Sequence, residues 1–147
     1  MTLTVRELRE ADRDDWLRLR DALWPGSRAD HAAEIRSHFE AGSPLVVFVA
    51  EVDGRTVGLL ELDYRSYAPG CTSSPVPFIE GWYVEPAWQR RGIGRALVQA
   101  AEAHVRAEGY DEIASDVELE NETGLAAHRA LGYEEEDRVV CFRRSLR

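Results

Sequence analysis

Residues 82–105 read WYVEPAWQRRGIGRALVQAAEAHV. An apolar-aromatic run comes first, and Gln89, Arg90, Arg91, Gly92, Ile93, Gly94 and Arg95 follow it. Ile93, Ala96, Leu97, Ala100, Ala101 and Val105 then recur at helical spacing. Because FIEGWYV, residues 78–84, reads as a strand, a glycine-bearing turn carries a strand into a helix N-terminus. Such a turn presents unpaired backbone N–H groups and the positive end of the helix dipole, and its glycines let a bulky anion approach the main chain. Arg90, Arg91 and Arg95 add charge at the same place, so a di- or triphosphate group is the natural ligand. The turn lacks the Gly-Lys-Ser/Thr that completes a P-loop, and the GxGxxG of the dinucleotide fingerprint is incomplete. On glycine spacing alone, a surface helix with an ordinary basic first turn is the simpler reading.

Working outward, LTVREL alternates like a strand, and Trp16, Leu19 and Leu23 then mark a helix that Pro25 and Gly26 end. A second helix is predicted from about Ala29 to Glu40, with Ala32, Ile35 and Phe39 on one face and Gly42 as its stop. PLVVFVAEV and RTVGLLELDYRSY are β-branched, apolar runs joined across Asp53 and Gly54, a tight-hairpin signature. Residues 68–77 form a loop by composition. After the opening segment, EIASDVEL (112–119) reads as a strand, NETGLAAHRALGY (121–133) as a short helix, and RVVCFRR (138–144) as a final strand carrying Cys141. The order β-α-α-β-β-β-α-β-α-β describes a mixed α/β sheet rather than a strictly alternating one.

The 147 residues suit a single domain with its own core. No run approaches the roughly 20 apolar residues a membrane crossing needs, and the charged N-terminus is unlike a signal peptide, so a cytoplasmic location is expected. Cys71 and Cys141 lack metal-site or disulfide spacing, and no metal is expected. The net charge of −9 disfavours nucleic acid. From Glu108 to Asp137 there are eleven acids against Arg129 alone, an end of the chain that would attract a cation.

VEPAWQRRGIGRALV resembles the acetyl-CoA-binding motif of the GCN5-related N-acetyltransferases, the GNAT family, and the resemblance extends over essentially the whole chain. It implies a single-domain fold over residues 1–147, with a central, mostly antiparallel, splayed sheet flanked by helices. It further implies that the pyrophosphate of coenzyme A sits on the amides of Gln89, Arg90, Arg91, Gly92, Ile93 and Gly94. The acetyl carbonyl would be held by backbone N–H groups at a bulge around Trp82, Tyr83 and Val84. DALWPG, YAPGCTSSPVPFIEGWYV, IASDVELEN and AAHRALGYEEEDRVV resemble, more narrowly, the aminoglycoside 6'-N-acetyltransferases. That likeness implies that Trp24, Tyr67, Glu80, Asp116 and Asp137 face an aminoglycoside and that Asn121 contacts the coenzyme. It also implies a homodimer.

The chemistry is coherent, since a polycation needs carboxylates for its ammonium groups and aromatic faces for its rings. Each position also has a bland reading. Trp24 could be core, Tyr67 an edge aromatic, Glu80 a wet strand position, Asp116 a turn former, Asp137 part of a solvated charge run and Asn121 a helix cap.

An alkylammonium with a lysine-like pKa is neutral in only about 0.04% of molecules at pH 7, so a base must take a proton before attack. Glu80 or Asp116 is the candidate, directly or through a water. Direct attack in one complex needs no acetyl-enzyme, and neither cysteine has the adjacent His of a nucleophile. Many family members carry a tyrosine three residues before the Leu-Gly of the last helix, and His128 stands there in this chain. Three roles are open to it: proton donor to the departing sulfur, packing beside the cofactor, or none. His31, His38 and His104 read as surface. Two alternatives remain: acetylation of another small amine, and a non-catalytic acyl-CoA-binding regulatory domain.

Overall fold

The computed structural model describes residues 1–147. Its elements are β1 (Leu3–Glu7), α1 (Arg13–Leu23), α2 (Arg28–Ala41), β2 (Val46–Val52), β3 (Arg55–Arg65), β4 (Val76–Val84), α3 (Ile93–Ala107), β5 (Ala114–Ser115) and α4 (Glu122–Ala130). The strands lie side by side in sequence order. The first four are antiparallel, and β5 joins β4 in parallel. The expected mixed sheet, flanked by helices, is therefore what the chain forms.

Local chemistry accounts for most boundaries. Val52 faces Arg55 across a two-residue turn in which Asp53 and Gly54 both have positive φ, the conformation that matches the twist of a tight hairpin. Ser27 caps α2, its hydroxyl accepting from the Asp30 amide at 3.1 Å, and Gly42 with φ 76° ends it. The apolar stripe of α3 buries Ile93, Leu97, Val98, Ala101 and Val105 against Phe48, Leu60 and Leu62 of the sheet. Removal of a side chain such as Leu97 from that layer costs about 2–5 kcal/mol. Trp16, Leu19 and Ile35 cover the opposite face with Val47, Val49 and Leu59, as the spacing in the two helices predicts.

Two expected strands are corrected. Only Ala114 and Ser115 of EIASDVEL pair, opposite Phe78 and Ile79. The reason lies in β4: Glu61 faces Gly81 while Leu62 faces Ile79, so Glu80 is an extra residue and the ladder bends there. Beyond Ile79 the edge of β4 turned away from β3 is open. RVVCFRR forms no strand, because it has no partner within the chain, and Val139, Val140, Phe142 and Cys141 lie exposed. The histidines are likewise not free surface groups. His38 packs edge-on against Trp16 and Phe39, His104 against Phe48, and His31 bonds the Trp24 carbonyl.

Candidate active site

The segment between β4 and α3 is shaped as an anion cradle. Arg90 has φ 63° and Gly92 has φ 80°, and none of the amides of Arg90, Arg91, Gly92, Ile93, Gly94 and Arg95 donates to a backbone carbonyl. The first helical bond closes only at Ala96, onto Gly92. The first turn holds no acid, and Arg90, Arg91 and Arg95 are exposed without a carboxylate partner. A row of free N–H groups at a helix N-terminus, flanked by guanidiniums, fits a pyrophosphate. Gln89 turns back to β4, donating its side-chain amide to the Val84 carbonyl at 3.0 Å. The opening in the sheet begins beside this cradle.

The expected bulge at Trp82, Tyr83 and Val84 lies instead at Glu80, and those three residues pair regularly with Leu60, Leu59 and Gly58. What frees this stretch for a ligand is the early end of β5. Trp82 joins the stretch to the cradle, its indole N–H donating to the Gly94 carbonyl at 3.2 Å. Glu85, at the end of β4, is fixed by Arg18 at 2.7 Å and Arg55 at 3.1 Å. Burial pushes its carboxyl up, but the two guanidiniums together outweigh that and hold it below the ordinary range.

On the α1–α2 face, a cavity of about 400 Å³ opens beside the bulge. Trp24 and Glu80 line it, with Glu34, Glu61 and Asp63, so four carboxylates meet one guanidinium, that of Arg20. Glu61 is only 2% exposed. It accepts from the Trp16 indole at 3.1 Å and lies 3.1 Å from Arg20, which reaches Glu34 at 2.6 Å with its other arm. Burial raises the Glu61 pKa, partly offset by Arg20 and Trp16. Glu61 is the main residue that the sequence reading missed. Its signal was present: an acid between Leu60 and Leu62 in an otherwise apolar run must point into something polar.

Glu80 and Asp116 are brought together, though by an intermediary. Arg65 donates to Glu80 through Nε and Nη2 at 2.8 and 2.7 Å and stands 3.7 Å from Asp116. Tyr67, Asp116 and Asp137 do not line the cavity, and Tyr67 is 69% exposed. Of the acids from Glu134 to Asp137, Glu136 lies against Gly70 in the loop after Tyr67, whereas Asp137 turns back to the Arg138 amide at 2.8 Å. Asn121 caps α4, accepting from the Gly124 amide at 2.9 Å. His128 places one ring nitrogen 2.8 Å from the Ser115 hydroxyl and the other 2.7 Å from the Gly124 carbonyl, with its edge against Trp82. Both ring nitrogens are thus engaged within the chain.

This arrangement of splayed sheet, anion cradle and acidic cavity can be set beside known proteins. The model of the acetyltransferase (GNAT) family matches residues 6–133. The chain is 46% identical over 145 residues to aminoglycoside N(6')-acetyltransferase type 1 of Stenotrophomonas maltophilia, covering 97% of this chain and 94% of that one. It is 43% identical over 147 residues to the protein of the same name from Klebsiella aerogenes, covering 97% and 96%. Among solved structures it superposes on the aminoglycoside N-acetyltransferase AAC(6')-Iy in complex with a bisubstrate analogue, CoA-S-monomethyl-acetylneamine, with a TM-score of 0.91 and 34% identity, covering 99% of each chain. AAC(6')-Iy in complex with CoA gives a TM-score of 0.90 at 34% identity, covering 97% of this chain and 95% of that one. With a family model spanning nearly the whole domain and relatives matched almost end to end, the chain belongs to the GNAT family of acetyltransferases.

Proposed function

We propose that this protein transfers the acetyl group of acetyl-CoA to the 6'-amino group of aminoglycosides, with both reactants held in one complex and the amine attacking directly. The observation that carries the reading is the cavity beside β4. Four carboxylates and the Trp24 indole line it, a surface suited to a hydroxylated polycation rather than to a peptide. The relatives that carry the aminoglycoside N(6')-acetyltransferase name support it across the full length of the chain.

Bound acetyl-CoA supplies an activated acyl group with a good leaving sulfur. The chain contributes position and charge. The amides and arginines from Gln89 to Arg95 take the pyrophosphate, Asn121 contacts the coenzyme, and the open edge from Trp82 to Val84 offers N–H groups to the developing oxyanion. Glu80 takes the proton of the attacking ammonium, Asp116 shares the acceptor's charge, and Trp24 borders the sugar rings in the cavity, with Tyr67 and Asp137 meeting only parts of the acceptor that extend outside it. A covalent acetyl-cysteine has little support. Burial and the nearby Glu112 push the Cys71 thiol up, and Cys141 lies in the exposed tail. His128 serves mainly to pack against Trp82.

The whole of residues 1–147 acts as one domain in this reading. The protein works as a homodimer, for which the exposed Val139, Val140, Phe142 and Leu146 give a reason, since a β-branched segment without a partner in its own chain can pair with a second copy. No helix is long and apolar enough to cross a membrane. A cytoplasmic location follows from dependence on acetyl-CoA.

The test is release of free coenzyme A thiol from acetyl-CoA with tobramycin, spermidine and a lysine peptide as separate acceptors. Turnover with tobramycin, absent with an aminoglycoside lacking the 6'-amine and cut at least a hundredfold in Glu80→Gln, is expected. Turnover confined to spermidine or the peptide would sink the aminoglycoside reading.

A further inference from the structure

The guanidinium of Arg65 stands where the proposed acceptor must place a cation. It makes a two-pronged bond to Glu80 at 2.8 and 2.7 Å, stands 3.7 Å from Asp116, and lies over the ring of Phe78 with Cζ 3.6 Å from its centre. Two carboxylates and an aromatic face form a complete set of contacts for an organic cation. Glu80 is the extra residue of the β4 bulge, which lets its carboxylate serve both this set and the cavity. Arg65 is the last residue of β3, its side chain is 42% exposed, and it has no other charged or hydrogen-bonded partner in the chain. It can therefore leave without opening the core.

We propose that Arg65 is an internal counter-cation that the acceptor's ammonium displaces from Glu80, and that this competition sets a threshold which acceptors with several ammonium groups overcome. The proposal rests on the acceptor reading given above. A planar guanidinium fork holds a carboxylate more firmly than a single ammonium does. An acceptor with one amine is therefore the weaker competitor and gains little. One that brings several ammonium groups reaches Glu80, Asp116 and the cavity acids together, and the sum exceeds what Arg65 gives up. Phe78 and the carboxylates remain in place throughout, so the site is built before the substrate arrives.

The experiment compares the wild type with Arg65→Met and Arg65→Lys by calorimetry in the presence of coenzyme A. The probes are tobramycin and 6-amino-6-deoxyglucose, a sugar with one amine. Arg65→Met is expected to bind both the monoamine and tobramycin roughly tenfold more tightly than the wild type, since neither has to displace the guanidinium, with Arg65→Lys intermediate. In the wild type, the Nε–H resonance of Arg65, protected by Glu80, should lose that protection as tobramycin is added. A structural tie between β3 and β4 would not respond in this way. Weaker binding of both ligands by Arg65→Met, or a fall in kcat at unchanged KM, would show that Arg65 positions Glu80 and would overturn the proposal. Wild-type binding of tobramycin with no gain in Arg65→Met sinks only the role of Arg65. Failure of the wild type to bind tobramycin sinks the acceptor reading and this one together.

Discussion

The Trp24 indole fills the space that a side chain at Gly81 would need. A Cβ on Gly81 would stand 2.8 Å from the far edge of that indole and 2.9 Å from the Leu23 methyl. The indole is also capped by the Arg20 guanidinium, 5.4 Å from its ring centre, and its backbone is tied to Arg20 and His31. Trp24 is therefore seated against the bulge from several sides. Gly81→Ala should push it out of that seat at a cost of about 1–3 kcal/mol in stability. Steady-state kinetics should show KM for the aminoglycoside rising at least tenfold while KM for acetyl-CoA stays unchanged. Equal changes in both would contradict a specific effect on Trp24.

The cradle makes the complementary prediction. Gly92 has φ 80° and open space around its Cα, so Gly92→Ala meets conformational strain but no clash, a cost of about 1–2 kcal/mol. Because the amides around it are the proposed phosphate donors, coenzyme A should bind about tenfold more weakly by calorimetry, with aminoglycoside affinity little altered. Undisturbed coenzyme A binding would place the pyrophosphate elsewhere.

His128 bonds inward through both ring nitrogens, to Ser115 and Gly124. His128→Phe preserves an aromatic edge against Trp82 but can carry no proton. Less than a tenfold loss of kcat is expected, since removal of a general acid costs on the order of a hundredfold or more. A loss of a hundredfold or more would restore a proton-donor role.

Far from the site, Asp12 accepts from both ends of the Arg6 guanidinium at 2.8 and 2.9 Å and from the Arg9 amide at 2.7 Å. Arg6, foremost through these bonds, holds the Asp12 carboxyl below its usual value. A carboxyl lowered by folding stabilises the protein above its unfolded pKa, about 3.9, and loses that contribution as pH falls through the lower folded value. Asp12→Asn should therefore cost about 3 kcal/mol near neutral pH, and the gap in Tm should close on acidification below about pH 4. A gap independent of pH would mean that the charge is not what stabilises the pair.

Deletion of residues 138–147 removes a segment that buries almost nothing in its own chain: Val140 is 77% exposed and Phe142 92%. The shortened protein should keep its Tm at low concentration and sediment as a monomer. Sedimentation as a dimer would locate the interface elsewhere.

Features set by near neighbours were legible in the residues alone. Asp53 and Gly54 fix the hairpin because both need positive φ, the periodic face of α3 fixes its packing, and the glycine-bearing turn after FIEGWYV fixes a helix N-terminus with unbonded amides. The family resemblance added Trp24, Glu80 and Asp116 as candidates. Which charges meet was settled by the packing of strands and helices. The bulge at Glu80 comes from the register of β4 on β3, and it ends β5 after two pairs. The same register gives Arg65 to Glu80 and leaves Glu61 buried beneath Arg20 and Trp16. The strand pattern of RVVCFRR was legible, but its pairing was not, since a strand is made by its partner. Periodicity and turn chemistry act over a few residues, whereas a carboxylate's partner is chosen by strand register and helix crossing, which bring together residues far apart in sequence.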